Sequence, residues 1–298
     1  MDIVVFGAGS LGSLIGGLLA QEHPVTLVGR EPHVRAVNES GLTVTGDIQI
    51  EVSPVGRTTI PAEADLVIVT VKAYDTPTAA AALSDCACDA VLSLQNGMGN
   101  EETLSEALSA DVLAGTTTYG AIQDEPGTVR CTGRGEVVIG PPDGGSSSLA
   151  DRIGGVFEAG GIETTVATDM PRRTWEKLAI NAGINATTAL ARVPNGALAE
   201  KPAMEVARRA ACETARVARQ EGVDLDDRTA VDALEAVVEA TADNRSSMYR
   251  DIERGRRTEV ASINGYVADH DVKTPVNATL AALLETWERE NVRRSEPI

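Results

Sequence analysis

Lys177, Asn181 and Asn185 recur every four residues within Thr174–Thr188, TWEKLAINAGINATT. A helix sets all three on one stripe, while Leu178, Ile180 and Ile184 fall off it. Buried without partners, such groups would cost about 1–3 kcal/mol each, so the stripe must face a polar cleft or its members must pair with one another. An ammonium group can stabilise charge growing on a carbonyl oxygen and then deliver a proton. Asparagine both donates and accepts, and so can hold a hydroxyl or a carbonyl without adding charge. Only four lysines stand among the 26 basic residues, which makes Lys177 conspicuous.

A second group of residues suits a dinucleotide. In Gly7-Ala8-Gly9-Ser10-Leu11-Gly12, the first glycine permits a tight turn and the second lets the backbone approach a pyrophosphate. The third lets helix pack on strand, with the helix N-terminus facing the phosphates. After the next apolar run comes Val28-Gly29-Arg30-Glu31. Arg30 there would pair with the 2′-phosphate of NADP(H), and Glu31 beside it leaves NAD(H) open through its ribose diol. Lys72 and Asn96 follow two further apolar runs, at the strand ends where open α/β sheets bind ligands. Asn244-Arg-Ser-Ser-Met248 offers amide and hydroxyl donors for a carboxylate. In Arg257–Gly265, Glu259 and Ile263 have helical spacing, and Glu259 could order a cationic lysine.

Positioning these groups takes two kinds of architecture. Short apolar runs at 3–6, 25–28, 66–71, 91–94 and 112–118 read as buried strands alternating with helices or loops, a parallel sheet covered on both faces. Thr128–Cys131 and Glu136–Ile139, joined by Thr-Gly-Arg-Gly, read as a hairpin added antiparallel to the far edge of that sheet. A helix over 149–159 and a last strand over 163–167 complete this half. From Pro171 to Glu290 the pattern is alanine-rich and helical, broken at Pro194-Asn-Gly196, Gly222 and Lys273–Pro275. The expected domains are 1–168, dinucleotide-binding, and 169–298, helical and substrate-binding. Two cores fit a chain of 298 residues, since single cores stop growing at roughly 250–300.

Composition excludes several classes. A net charge of −18 argues against nucleic acid and anionic membranes as partners. Few lysines beside a large acidic excess resemble the surface of proteins from a high-salt cytoplasm. Four scattered cysteines and no leader-like start predict a cytoplasmic protein with reduced thiols. Cys86-Ala-Cys88 lacks a second close pair or a nearby histidine to complete a metal site, and no metal is expected. Three histidines, His23, His33 and His270, leave little material for a triad. No run reaches the ~20 apolar residues of a membrane span.

Eight segments, in order along nearly the whole chain, resemble the 2-dehydropantoate 2-reductase (ketopantoate reductase) family. They are GAGSLG (7–12), VKA (71–73), NGMG (96–99), GTTT (115–118), WEKLAINAGIN (175–185), PNG (194–196), NRSSM (244–248) and TEVASING (258–265). The resemblance implies an α/β Rossmann-type domain followed by an all-α domain of the 6-phosphogluconate dehydrogenase C-terminal type. It further implies NADPH-dependent reduction of 2-dehydropantoate to (R)-pantoate, in pantothenate and coenzyme A biosynthesis. By matching position, Lys177 would be the proton donor and Glu259 a catalytic residue touching cofactor and substrate. Asn96, Asn181, Asn185 and Ser247 would surround the substrate, with Asn195 and Asn244 in support. Gly7, Ala8, Gly9, Ser10, Leu11, Gly12, Lys72, Asn96 and Ala121 would contact the cofactor. The family also includes paralogues, so a reductase of another small 2-oxo acid stays open, as does a dinucleotide sensor without chemistry. The apolar faces of the helical half would suffice for a homodimer.

Overall fold

The computed structural model describes residues 1–199 and 202–292. The last residues of the second expected domain, 293–298, lie outside them. The α/β part runs β1 (Ile3–Phe6), α1 (Ser10–Leu19), β2 (Val25–Val28), α2 (His33–Ser40), β3 (Leu42–Gly46), β4 (Ile50–Val52), β5 (Val55–Arg57) and β6 (Glu63–Val69). It continues with α3 (Thr76–Leu83), β7 (Ala87–Ser93), α4 (Asn100–Ala107), β8 (Asp111–Thr117), β9 (Gly120–Glu125), β10 (Thr128–Gly133), β11 (Val137–Gly140), α5 (Ser148–Ala159) and β12 (Thr164–Val166). Then come α6 (Met170–Ala191), α7 (Ala203–Gln220), α8 (Asp227–Ala240), α9 (Ser247–Glu253), α10 (Asn264–Ala268) and α11 (Pro275–Asn291). The chain divides into two compact units: Met1–Gln95 with Gly99–Met170, and Asn96–Met98 with Pro171 onward.

In the first unit the main sheet has the order β12-β11-β8-β7-β6-β1-β2-β5. β1 lies between β6 and β2, parallel to both, so successive strands diverge from it. Alternation along the strands sorts their side chains to two faces. Ile3, Val5, Leu66, Ile68 and Leu92 join Leu14, Ile15 and Phe157 of α1 and α5 in one core. Val4, Val67, Val69 and Val91 join Ala80, Leu83 and Leu104 of α3 and α4 in the other. That is why these strands read as continuous apolar runs rather than as alternating ones.

The expected hairpin is not formed. β10 pairs antiparallel with β9 and parallel with β3, giving a separate four-stranded sheet, β4-β3-β10-β9. β11 instead enters the main sheet, antiparallel to β8 and parallel to β12. Thr-Gly-Arg-Gly is therefore a passage between sheets. The segment after β2, read as helix or loop, holds β3, β4 and β5 as well as α2.

The second unit is helical throughout its described residues. Its core is rich in alanine, with Ala182, Ala186, Ala207, Ala210, Ala211 and Ala215 buried together with Trp175, Leu234 and Leu284. Small side chains let helices approach closely. A β-carbon at Gly183 would overlap Leu234 and stand 2.8 Å from the Ala207 carbonyl oxygen. No helix among the described residues is long and apolar enough to cross a membrane.

Candidate active site

The glycine turn has the conformation its spacing implies. Gly7 has φ +112°, which a side chain tolerates poorly, and a β-carbon there would stand 2.7 Å from the Val71 nitrogen. At Gly12 one would overlap the Gly7 carbonyl oxygen, which also accepts the Thr70 hydroxyl at 2.8 Å. Gly7 and Ala8 N–H groups both donate to Val28 O at 2.9 Å, tying the turn to β2. Gly9 differs: a β-carbon there would meet nothing nearer than Gly7 O at 3.9 Å. Space is open on that side, and α1 begins at Ser10 with no side-chain cap on its N-terminus. An uncapped N-terminus beside an open glycine fits a pyrophosphate.

The other first-unit candidates are disposed around β1. Arg30 is exposed just beyond β2. Lys72 is half-buried and precedes the short 3-10 turn Ala73–Asp75, because β6 ends at Val69, two residues earlier than its apolar run suggests. Leu11 and Ala121 pack partly buried against the core, Leu11 on α1 and Ala121 on β9. The Ser10 hydroxyl accepts the Gln123 N–H at 2.9 Å, so it also secures β9 to the glycine-turn helix.

In the second unit, Lys177 and Asn181 are half-buried on α6, and Asn185 is buried at 6% exposure. Asn96 belongs to this unit although its loop follows strand β7. Gly97 and Gly99 both have positive φ, +84° and +83°, so the chain turns sharply there. Met98 N–H donates to Ser262 O at 3.1 Å, and Ser262 Oγ donates to Glu259 O at 3.1 Å. Ser262 thereby links the Asn96 loop to the backbone of Glu259, whose residue is 5% exposed. Glu259 and Ile263 do not share a continuous α-helix. A 3-10 turn, Val260–Ser262, intervenes, and Ile263 leaves helical geometry at φ −110°, ψ −88°.

Asn195 and Asn244 meet through the backbone, Asn195 N–H donating to Asn244 O at 2.8 Å. The Asn195 amide donates to the Thr241 hydroxyl at 2.9 Å, and its Oδ1 is buried with no partner in the protein. Asn244 and Ser247 are exposed. Ser246, next to Ser247, is the buried one. Its Oγ accepts from Tyr249 N–H at 3.1 Å as the cap of α9 and lies 2.8 Å from the Thr188 hydroxyl of α6.

Sequence reasoning missed what stands behind the stripe. Asn264 Nδ2 donates to Ala182 O, between Asn181 and Asn185, at 3.0 Å, and to Asn277 Oδ1 at 2.9 Å. Asn277 Nδ2 donates in turn to Ala210 O and to Glu213 Oε2. The Glu213 carboxylate also accepts Val276 and Asn277 N–H groups, capping α11 from α7. Asn264 and Asn277 are fully buried, and Glu213 nearly so. Helices α7, α10 and α11 are thus tied to α6 or to one another by polar groups inside an apolar core, in which Asn264 Oδ1 alone of the network's side-chain atoms is buried without a partner. The only sequence signal was polarity at helix positions otherwise facing apolar neighbours.

Burial pushes the thiols of Cys86, Cys131 and Cys212 up, and burial with the charge of Cys86 and Asp89 pushes Cys88 up to about 11. Thiols so shifted are weak nucleophiles and weak ligands at neutral pH. Among the described residues no group of three or more His, Cys, Asp or Glu is arranged to hold a metal ion.

Both halves of the chain are similar to known proteins. Residues 3–144 match the model of ketopantoate reductase PanE/ApbA, and residues 169–288 that of its C-terminal part. A 2-dehydropantoate 2-reductase of Halobacterium salinarum is 46% identical over 303 residues, covering 97% of this chain and 100% of that protein. One from Archaeoglobus fulgidus is 40% identical over 288 residues, covering 95% and 96%. The crystal structure of a PanE/ApbA family ketopantoate reductase from Ralstonia eutropha superposes with a TM-score of 0.89 at 32% identity, covering 98% of this chain and 100% of that one. D-mandelate dehydrogenase in a ternary complex with NADH and anilino(oxo)acetate superposes with a TM-score of 0.92 at 25% identity, with the same coverage. With both halves matched in order and relatives of full length well above 30% identity, the chain belongs to the ketopantoate reductase PanE/ApbA family.

Proposed function

We propose that this protein reduces 2-dehydropantoate to (R)-pantoate with NADPH, with Lys177 as the proton donor. The observation that carries the reading is the stripe of Lys177, Asn181 and Asn185 on α6, in one structural unit with the Asn96 loop and buried Glu259. It is supported by the 46% identity to a 2-dehydropantoate 2-reductase over essentially both full lengths.

When bound, the reduced dinucleotide supplies a hydride to the C2 carbonyl carbon. Residues Gly7, Ala8, Gly9, Ser10, Leu11 and Gly12 would hold its pyrophosphate, and Lys72, Asn96, Ala121 and Glu259 would contribute further contacts. Arg30 would pair with a 2′-phosphate, and its exposure just past β2 suits that role. Lys177, as an ammonium, stabilises the negative charge that grows on the C2 oxygen and transfers its proton to that oxygen, completing the hydroxyl. Asn96, Asn181, Asn185 and Ser247 orient the substrate, and Asn195 and Asn244 support them. Glu259 would order the Lys177 side chain. The buried network from Asn264 to Glu213 holds α6 so that its stripe presents a single geometry, which is where orientation contributes to rate. The acidic composition and the Halobacterium relative support a surface adapted to high salt in a cytoplasmic enzyme.

A second reading is a reductase of a bulkier 2-oxo acid using NADH, supported by the likeness to D-mandelate dehydrogenase. NADPH and NADH oxidation should be measured with 2-dehydropantoate, a pyruvate-sized 2-oxo acid and an aryl 2-oxo acid, at high and low salt. The expected result is the highest kcat/KM for 2-dehydropantoate with NADPH. No turnover of 2-dehydropantoate at either salt would overturn the substrate, and an aryl preference would establish the second reading.

A further inference from the structure

His33, the first residue of α2, is 4% exposed and has both ring nitrogens occupied. Nδ1 lies 3.1 Å from the Gly127 N–H and 2.7 Å from Gln123 Nε2. A backbone N–H can only donate, so Nδ1 carries the lone pair; Nε2 carries the proton and donates to Ser13 Oγ at 2.9 Å. Ser13 is fully buried on α1, one residue past Gly12. Gln123 is on β9, two residues past Ala121, and Gly127 is in the β9–β10 turn. His33 N–H donates to Arg30 O at 3.1 Å and closes the turn that carries Arg30. His33 therefore joins three segments: its neutral imidazole links the glycine-turn helix to the β9–β10 hairpin, and its backbone N–H closes the turn after β2, so that the segments carrying Gly12, Arg30 and Ala121 meet at one residue.

We propose that neutral His33 is a positioning residue for the dinucleotide site, setting the Arg30 turn and the β9–β10 hairpin against the glycine-turn helix, so that cofactor affinity depends on it while proton transfer does not. This rests on the dinucleotide reading given above. Protonation at Nδ1 would set an N–H against two other N–H groups, so acid should loosen the site. Burial already holds the imidazole below its ordinary range. Helix α1 carries no charged residue. The charged groups on the other packed elements are Arg30, Glu31, Arg35 and Glu39 around α2, Arg57 on β5, Asp124 and Glu125 on β9, and Arg130 on β10. Arg35 pairs with Glu31 and Arg130 with Asp124, and burial alone moves the His33 pKa.

The test is calorimetric titration of the full-length protein with NADP⁺ and NAD⁺ from about pH 7.5 to about pH 5.5, spanning the ordinary histidine range, beside steady-state kinetics. In His33→Phe the NADP⁺ Kd should rise about tenfold, the scale of losing buried hydrogen bonds, with kcat at saturating cofactor and the KM for 2-dehydropantoate nearly unchanged. Wild-type affinity for both dinucleotides should weaken towards acid. His33→Phe should lose that slope for NAD⁺ and keep for NADP⁺ only the titration of the ligand's own phosphate. Should His33→Phe fail to fold, Gln123→Leu carries the test with a smaller rise, about threefold. Variants with wild-type Kd and pH slope would overturn the inference while leaving dinucleotide binding intact, as would a fall in kcat with Kd unchanged. A wild-type protein that binds neither dinucleotide would overturn the dinucleotide reading and this inference with it.

Discussion

The two units assemble their candidate binding groups from different materials. In the α/β unit the turn Gly7–Gly12 offers backbone: two glycines are required by close approach within the protein, while Gly9 leaves open space. In the helical unit, by contrast, α6 offers side chains, and their geometry depends on buried partners such as Asn264, Asn277 and Glu213. A backbone site is fixed by local conformation and tolerates changes elsewhere in the sheet. A side-chain site inherits the precision of whatever holds its helix.

The sharpest break in this comparison comes from Lys177→Ala. It should lower kcat by about 10²–10⁴-fold, the usual scale of general acid catalysis, with NADP⁺ affinity retained. Stopped-flow NADPH oxidation measures the first and calorimetry the second; undiminished turnover would remove Lys177 from the chemistry. Next, Glu213→Gln replaces one acceptor oxygen with an amide group facing N–H donors of α11. We expect a stability loss of about 1.5–3 kcal/mol by urea denaturation, with cofactor affinity little changed. The glycines give a paired test. Gly12→Ala should cost about 1–3 kcal/mol of stability through overpacking, whereas Gly9→Ala should leave stability near wild type and weaken dinucleotide binding. Equal effects of the two on stability would show that the turn does not divide into internal and ligand-facing glycines.

The smallest effect expected concerns pH. The folded chain binds the His33 proton less readily than the unfolded chain, whose histidine titrates near 6.5. Below that value the unfolded state takes up the proton first, so this contribution is intact above pH 6.5 and is lost as pH falls. Its slope cannot exceed about 1.4 kcal/mol per pH unit, and His33→Phe should remove it from a series of urea midpoints.

Much of the candidate site is legible in the sequence because its signals are local. The spacing of Gly7, Gly9 and Gly12 specifies a turn, and the interval of four along Lys177, Asn181 and Asn185 specifies one helix face. Leu42-Thr-Val-Thr45 also carried a strand alternation, with Leu42 and Val44 buried and Thr43 half-buried, in a stretch that reads too easily as loop. The pairing of β10 was a different matter. Two apolar runs around Thr-Gly-Arg-Gly suit a hairpin, yet β10 finds its partners in β9 and in β3, more than 80 residues away (Thr128 opposite Thr43). Local pattern cannot choose among partners that satisfy the same backbone groups equally well.

By itself, the sequence determined the order of an α/β unit and a helical one, the glycine turn after β1 and the polar face of α6. These follow from periodicity and from the conformational freedom of glycine, both properties of a short segment. Only the tertiary structure decided the second sheet, the passage of the Asn96 loop into the helical unit, and the buried partners of α6 and His33. Those depend on hydrogen bonds between residues far apart in the chain. Whether a buried polar side chain costs stability or organises a site is settled by who its partner is, and that information exists only once the chain has folded.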